Sequence, residues 1–428
     1  MLDIKFIREN VDKIKEAAKN KNIKIDIDEL LVLDEKKRKI NSNLENLRAR
    51  RNEIAESGKK GRPSLELIEE GKKLKEQISN LEKELNVIGD EFENLMIKVP
   101  TIPSADTPIG RDETENVVVK QYGEPKKFDF EPKTHIELAK DLDWIDFERG
   151  VKVAGYRGYF LKNDATRVVM AMMMHAINKM VANGYTPMIV PTIIKEFALF
   201  GSGYFKGKEY NSEVDEIYQI ATSDKEVDGT LSKERKFLVG TAEPSLLAYF
   251  SGEVLREEDL PIKVCGFSPC YRSEIGGYGK DTKGLYRVHE FFKVEQVIIS
   301  KADIEKSEKL QQEMVAISRS IHEDLGFTYR QVQICTGDMS AGKYKQFDLE
   351  TWLPGSKRWA ETGSASNFLD WQARRLNIRY ITKTGEKKYA YLLNNTALPS
   401  PRPLIAIMEN FQTKDGKIDI PKVLKKYL

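Results

Sequence analysis

The sequence predicts an α+β protein, an N-terminal antiparallel two-helix coiled-coil arm followed by a body with a mostly antiparallel β-sheet flanked by helices. Two observations predict it. Apolar seams at heptad spacing fill residues 30 to 95, and the short β-rich runs beyond them lack the regular crossover helices of a parallel sheet.

The first seam is Leu30, Leu33, Ile40, Leu44, Leu47 and Ile54, with the polar Lys37 and Arg51 completing the spacing of three and four. The second is Leu67, Leu74, Ile78, Leu81, Leu85, Ile88, Phe92 and Leu95, with Gly71 as its weak member. Between them, residues 57 to 64 (Ser-Gly-Lys-Lys-Gly-Arg-Pro-Ser) fit a chain reversal, with Ser64 as N-cap of the second helix. At 1.5 Å per residue each helix would be roughly 40–50 Å long, so the hairpin is expected to project as an arm. Heptads alone fit an oligomerising or structural coiled coil. Charge adds a second reading: from Lys36 to Arg62 ten basic residues face only Glu45, Glu53 and Glu56, as binding to a phosphate backbone would need. A solvated helix face is the competing account of the same run.

Val99-Pro100 stops the second helix, which assigns residues 1–100 to the arm. Residues 101–115, rich in Pro, Ser, Thr and Gly, read as a linker, and 116–428 as the body. Its strand candidates are Tyr185–Val190, Phe237–Val239, Val264–Phe267, Phe292–Ile299 and Tyr389–Leu393.

Composition narrows the function. The 428 residues carry a net charge of only +2, so any nucleic-acid surface must be local. Cys265, Cys270 and Cys335 are too sparse for a disulfide framework and, with four scattered histidines, build no zinc site. No apolar segment has the length of a signal peptide or a membrane span, which leads to the expectation of a cytoplasmic protein with no membrane partner.

No Gly-rich phosphate loop of the strand-to-helix kind is present, and no GxGxxG opens a helix. Chemistry concentrates instead where the run Gly266–Tyr271 ends in Arg272 and Glu274, two apart and so expected on one face of a strand. A Gly-rich basic loop, 275 to 284, leads to a return strand from Tyr286 to Glu295, a hairpin with Arg272, Glu274, Phe291 and Glu295 near its base. Taken singly, Arg272 and Glu274 fit a surface ion pair and Phe291 a core position. His289 reads as a packing residue, and Asn367 and Arg375 as structural supports.

This hairpin resembles motif 2 of the class II aminoacyl-tRNA synthetases, in the wording of the seryl enzymes. Gly240-Thr241-Ala242-Glu243 is similar to the family's serine-binding Thr-x-Glu. Residues 359 to 367, around Glu361, resemble its metal-and-ATP segment. Leu393–Leu398 with Pro401-Arg402 resembles motif 3, and Arg167–Val181 with Tyr185–Pro191 resembles motif 1, the dimer-interface element. The resemblance covers essentially the whole chain in the family's order.

It implies that L-serine is activated with ATP as seryl-adenylate and transferred to tRNA(Ser), with tRNA(Sec) as a second candidate acceptor, by a homodimer. Arg272 would hold the α-phosphate and the serine carboxyl, and Arg402 the γ-phosphate. Glu361 and Ser364 would position Mg²⁺ and the phosphates, beside Thr362 and Gly363 of the same ATP segment. Phe291 would stack the adenine while Glu274 and the Val288 backbone meet its edge, with Ser273 also ATP-binding. Thr241, Glu243 and Glu295 would surround the serine ammonium; Glu295 and Thr396 would bind its hydroxyl, with Asn394 also in the serine pocket. The arm residues implied in tRNA binding are Lys36, Lys37, Arg38, Arg48, Arg51, Lys59, Lys60 and Arg62. Three departures stand out: Gly363 and Ala365 replace a serine and a cysteine frequent in the family, and Glu290, where glutamine is usual, adds an anion expected close to ATP. Two other functions compete, a paralogue that loads a carrier protein, disfavoured by the arm, and a scaffold with a dead synthetase-like body, disfavoured by intact Arg272, Glu295, Glu361 and Arg402.

Overall fold

A computed structural model describes residues 1–59, 64–221, 224–274 and 283–428, with 57–59 by backbone only. The chain divides into two compact units, Met1–Pro100 and Thr101–Leu428.

In the first unit α1 (Ile4–Glu9) and α2 (Val11–Asn20) precede two long helices, α3 (Ile27–Lys59) and α4 (Leu65–Met96). With 33 and 32 residues these are about 50 Å long. The heptad positions meet as the pattern requires: Leu33, Ile40 and Leu44 of α3 pack with Ile78 and Ile88 of α4, flanked by Leu47, Leu81, Leu85, Phe92 and Leu95. Ser64 caps α4, its hydroxyl accepting from the Leu67 amide. Helix α3 runs through Ser57 and Gly58, further than the reversal signal at 57 placed its end, because helical propagation past one glycine costs only about 1 kcal/mol.

The second unit is built on an eight-stranded sheet: β1 (Val117–Tyr122), β2 (Thr186–Ile189), β3 (Ile262–Tyr271), β4 (Glu290–Ser300), β5 (Tyr329–Gln333), β6 (Lys345–Leu353), β7 (Arg358–Asn367) and β8 (Tyr391–Pro399). Spatial order is β1-β5-β6-β7-β8-β4-β3-β2, and every pair is antiparallel except β2 with β3 at one edge. Helices α5 (Asn163–Ala182), α6 (Glu196–Ser202), α7 (Glu243–Ala248), α8 (Ile304–Asp324), α9 (Trp371–Leu376) and α10 (Pro401–Asn410) flank it. The main core lies where α5 and α10 cover β4 and β8, around Val168, Met172, Val294, Leu398 and Ile405. The segment read as a linker is held against this body by backbone hydrogen bonds, Thr101 N to Ala341 O and Ser104 N to Tyr344 O, both 2.9 Å. Among the described residues no helix is long and apolar enough to cross a membrane.

Candidate active site

The site is assembled from the three central strands. Across β4, Glu295 sits opposite Gly266 of β3 and Thr396 of β8, and Phe291 opposite Cys270. Alternation along β4 sends Phe291, Lys293 and Glu295 to one face. Beside them a cleft open to solvent is walled by Arg272, Glu274, Val288, Phe291, Thr396 and, from β7 and α10, Glu361, Thr362, Gly363 and Arg402. Nine of the predicted site residues thus share one wall.

Two sequence expectations about the hairpin are corrected. Strand β3 stops at Tyr271, and Glu274 has a positive φ of 53°, so Arg272 and Glu274 converge through a bent chain and not through strand alternation. The return strand begins at Glu290 rather than Tyr286, because residues 283–289 are spent in turns that carry Tyr286 and Arg287 to the cleft. The intervening 275–282, most of the predicted Gly-rich loop, lies outside the described residues. Glu274 Oε2 is held by Arg287 Nη1 at 3.2 Å and by the buried Arg157 Nη1 at 3.4 Å. Arg272 Nε donates to Gly240 O at 3.3 Å, and its guanidinium lies 5.5 Å from the Phe291 ring centroid. His289 packs between Tyr156 and Tyr218 and donates from Nδ1 to Arg272 O at 2.8 Å, a support with no acid–base geometry.

Arg402 follows Pro401 in the first turn of α10 and donates from Nη1 to the Glu361 carbonyl at 3.0 Å and carboxylate at 3.1 Å. Desolvation works against the Glu361 charge, but Arg402 and then Arg272 outweigh it and hold the carboxyl below its ordinary value. Asp348, opposite Ser364 on β6, behaves in the contrary way: desolvation and then Glu361 push it up to about 7. Gln346 Nε2 donates to both Asp348 Oδ1 and Ser364 Oγ. Two carboxylates and a hydroxyl, all hard oxygen donors, therefore stand together beside the cleft, and the repulsion between the acids is what a divalent cation would relieve.

Behind the wall lies a buried polar set. Glu295 Oε2 takes Lys293 Nζ at 2.6 Å, Thr241 Oγ1 at 3.0 Å and Thr396 Oγ1 at 3.4 Å. Glu243, first residue of α7, takes Asn394 Nδ2 and Gln372 Nε2, each at 2.6 Å, on the same Oε1. Burial and then Glu295 push Glu243 up to about 7. The close approach of α7 to β3 needs Gly266, where a Cβ would stand 2.7 Å from Ala242 Cβ.

Ser273 and Ser364 are off the cleft wall. Glu290 is exposed, its carbonyl bonded by the Tyr159 hydroxyl, and is likewise absent from the wall. Asn367 and Arg375 are supports: Asn367 Nδ2 donates to Ser307 Oγ, and Arg375 stacks 3.7 Å from the Trp371 ring centroid while donating to Phe200 O. Sequence reasoning missed Lys293, Gln372, Asp348 and His322. Strand alternation from Phe291 to Glu295 was the signal for Lys293. His322, buried and pushed down to about 4 by burial, donates from Nδ1 to Ser318 O, so its bare Nε2 accepts from Thr362 Oγ1 at 2.7 Å.

On the arm, part of the basic run is spent internally. Arg38 pairs with Asp34, Arg48 with Glu82, and Lys37 lies 4.6 Å from the Phe92 ring centroid. Lys36 and Arg51 are exposed; Lys60 and Arg62, and the Lys59 side chain, lie outside the described residues.

Residues 1–103 match the model of the seryl-tRNA synthetase N-terminal domain, and residues 226–411 that of the tRNA synthetase class II core domain (G, H, P, S and T). The serine–tRNA ligase of Treponema denticola is 40% identical over 433 residues, covering all of this chain and 98% of the relative. The crystal structure of seryl-tRNA synthetase from Pyrococcus horikoshii complexed with ATP superposes with a TM-score of 0.88 at 34% identity, covering 100% of this chain and 98% of that one. The cytoplasmic serine–tRNA ligase from Naegleria fowleri in complex with AMP gives 0.85 at 30%, covering 100% and 97%.

Proposed function

This chain belongs to the seryl-tRNA synthetase family and has its activity, the ATP-dependent ligation of serine to tRNA, and from that premise we propose how its residues divide the work. The division rests on one observation: Glu295 Oε2 is already engaged by Lys293, Thr241 and Thr396, while Glu243 holds one oxygen saturated by two amides.

Glu243, with one carboxylate oxygen outside the amide contacts, takes the serine ammonium. Glu295, its charge offset by Lys293, accepts the serine hydroxyl together with Thr396. An alanine side chain would forgo the hydrogen bonds that the hydroxyl makes to Glu295 and Thr396, a loss of about 1.5–3 kcal/mol for the bond to the charged carboxylate. Serine's carboxylate oxygen attacks the α-phosphorus, a bond to that oxygen forms, and the bond to pyrophosphate breaks. No protein nucleophile or proton transfer enters this step, so catalysis is positioning and charge stabilisation. Arg272 bridges the α-phosphate and the serine carboxylate, and Arg402 receives the γ-phosphate in exchange for Glu361. Phe291 stacks the adenine, and Glu274, held on one oxygen by two guanidiniums, accepts from its exocyclic amine. Glu361 and Ser364, joined by Asp348, would hold Mg²⁺, which when bound neutralises phosphate charge.

Binding of tRNA(Ser) falls to the arm through Lys36, Arg51 and the tip, because Arg38 and Arg48 are already paired. A homodimer is supported by exposed Met170, Met174 and Val181 on α5 and by Ile189 on edge strand β2, 88% exposed. Three free cysteines accord with a reducing, cytoplasmic location. Aminoacylation of total tRNA with each of the twenty amino acids tests the assignment: serine alone should be esterified, and equal charging with alanine or threonine would refute the pocket. Purified tRNA(Sec) in the same assay decides the second acceptor.

A further inference from the structure

We propose that Gln372 is a positioning residue for serine activation, fixing Glu243 so that one carboxylate oxygen is saturated by amide donors and the other is presented to the substrate's ammonium. The inference rests on the reading of Glu243 as the ammonium's partner.

Gln372 is fully buried on α9 and reaches α7 and α6 at once, Nε2 donating to Glu243 Oε1 at 2.6 Å and to Ser202 O at 2.9 Å. The Ser202 carbonyl can only accept, so the amide has one permissible orientation; a flip would set its oxygen against that carbonyl. That orientation leaves Gln372 Oε1 buried without a hydrogen-bond partner among the described residues. A side chain kept for packing alone would avoid this penalty by being apolar, so the two donated bonds are what the position supplies. The carrier is firm: Arg375 stacks on Trp371 and bonds Phe200 O, tying α9 to α6. Asn394 from β8 adds a second donor to the same Oε1 at 2.6 Å, so two elements clamp one oxygen.

The charge state of Glu243 is the quantity such a clamp controls. Facing it are Glu295 and Lys293 from β4, Lys343 before β6 and the Tyr204 phenol after α6. Burial and Glu295 favour the neutral acid, which forms no ion pair with an ammonium; the Gln372 amide, Lys293 and Lys343 favour the anion. Removing the amide therefore weakens serine binding most at and below neutral pH.

Serine-dependent exchange of pyrophosphate into ATP by the full-length Gln372→Met variant tests this. The KM for serine should rise about tenfold or more, the KM for ATP should stay within about twofold, and the acid limb of kcat/KM for serine should move to higher pH. In a Glu243→Gln background the same substitution should add less than about twofold. If Gln372→Met raises both KM values alike with the limb unmoved, or lowers only the melting temperature, the inference is overturned. If Glu243→Gln alone leaves serine KM unchanged, the underlying reading fails instead. Should the methionine variant not fold, Gln372→Glu keeps the shape without the amide and should raise serine KM further; an unchanged value overturns the proposal.

Discussion

Lys293 Nζ lies 2.6 Å from Glu295 Oε2, two residues along the same strand and both side chains all but removed from solvent. Taking two charges out of water costs several kcal/mol each, and a pair this buried is frequently no better than an apolar replacement. Its value lies elsewhere: the lysine fills one oxygen of Glu295 and offsets its charge, so that the carboxylate acts as an acceptor for a neutral hydroxyl rather than as a second ammonium site.

Lys293→Met should therefore be damaging twice over. It leaves Glu295 buried without its cation, at a cost of about 3–5 kcal/mol in stability, and should cut serine-dependent exchange by about 100-fold or more. Thermal unfolding and exchange kinetics on the same preparation check both; full activity would mean that Glu295 needs no counter-ion.

The pH dependence of stability follows from Glu243, whose folded-state value of about 7 lies above its ordinary 4.5. Because the native state binds this proton more tightly, the unfolded chain ionises first as pH rises. Stability is thus lost between about 4.5 and about 7, by about 3 kcal/mol from this group alone. Asp348, also raised to about 7, titrates in the same window, so the informative quantity is the difference between the wild-type protein and Glu243→Gln. Denaturant melts at stepped pH should show a shallower decline in the variant; identical slopes would contradict the assignment.

Gly266→Ala should disable serine activation without touching a polar group. The added methyl would stand 2.7 Å from Ala242 Cβ and push Thr241 and Glu243 away from Glu295. A stability loss of about 1–3 kcal/mol and a rise in serine KM are expected, with ATP binding retained, as calorimetry with ATP would show.

Replacing residues 36–88 by a short Gly-Ser connector should raise the KM for tRNA while leaving serine-dependent exchange intact, since Met1–Pro100 is a compact unit of its own. Equal loss of both activities would make the arm a structural element of the enzyme.

Much of this architecture is legible in the sequence where a local period carries it. Heptad spacing identified the faces of α3 and α4 because a helix seam depends on residues three and four apart. The charge count on the arm was less informative, because Arg48 meets an acid 34 positions away on the partner helix. Strand alternation would have revealed Lys293 between Phe291 and Glu295, but a lysine reads by default as solvated. The same alternation misled at Glu274, where a left-handed backbone takes over once the ladder ends. Gln372 was invisible to any local pattern, since its partner Glu243 is 129 residues distant.

The measurement that bears most directly on the hydroxyl pocket is the ratio of kcat/KM for serine to that for alanine in pyrophosphate exchange, taken for the wild-type protein and for Thr396→Val. The pocket predicts a ratio of about 10²–10⁴ that falls by about tenfold or more in the variant, with ATP KM unchanged. A ratio that survives Thr396→Val undiminished would contradict it.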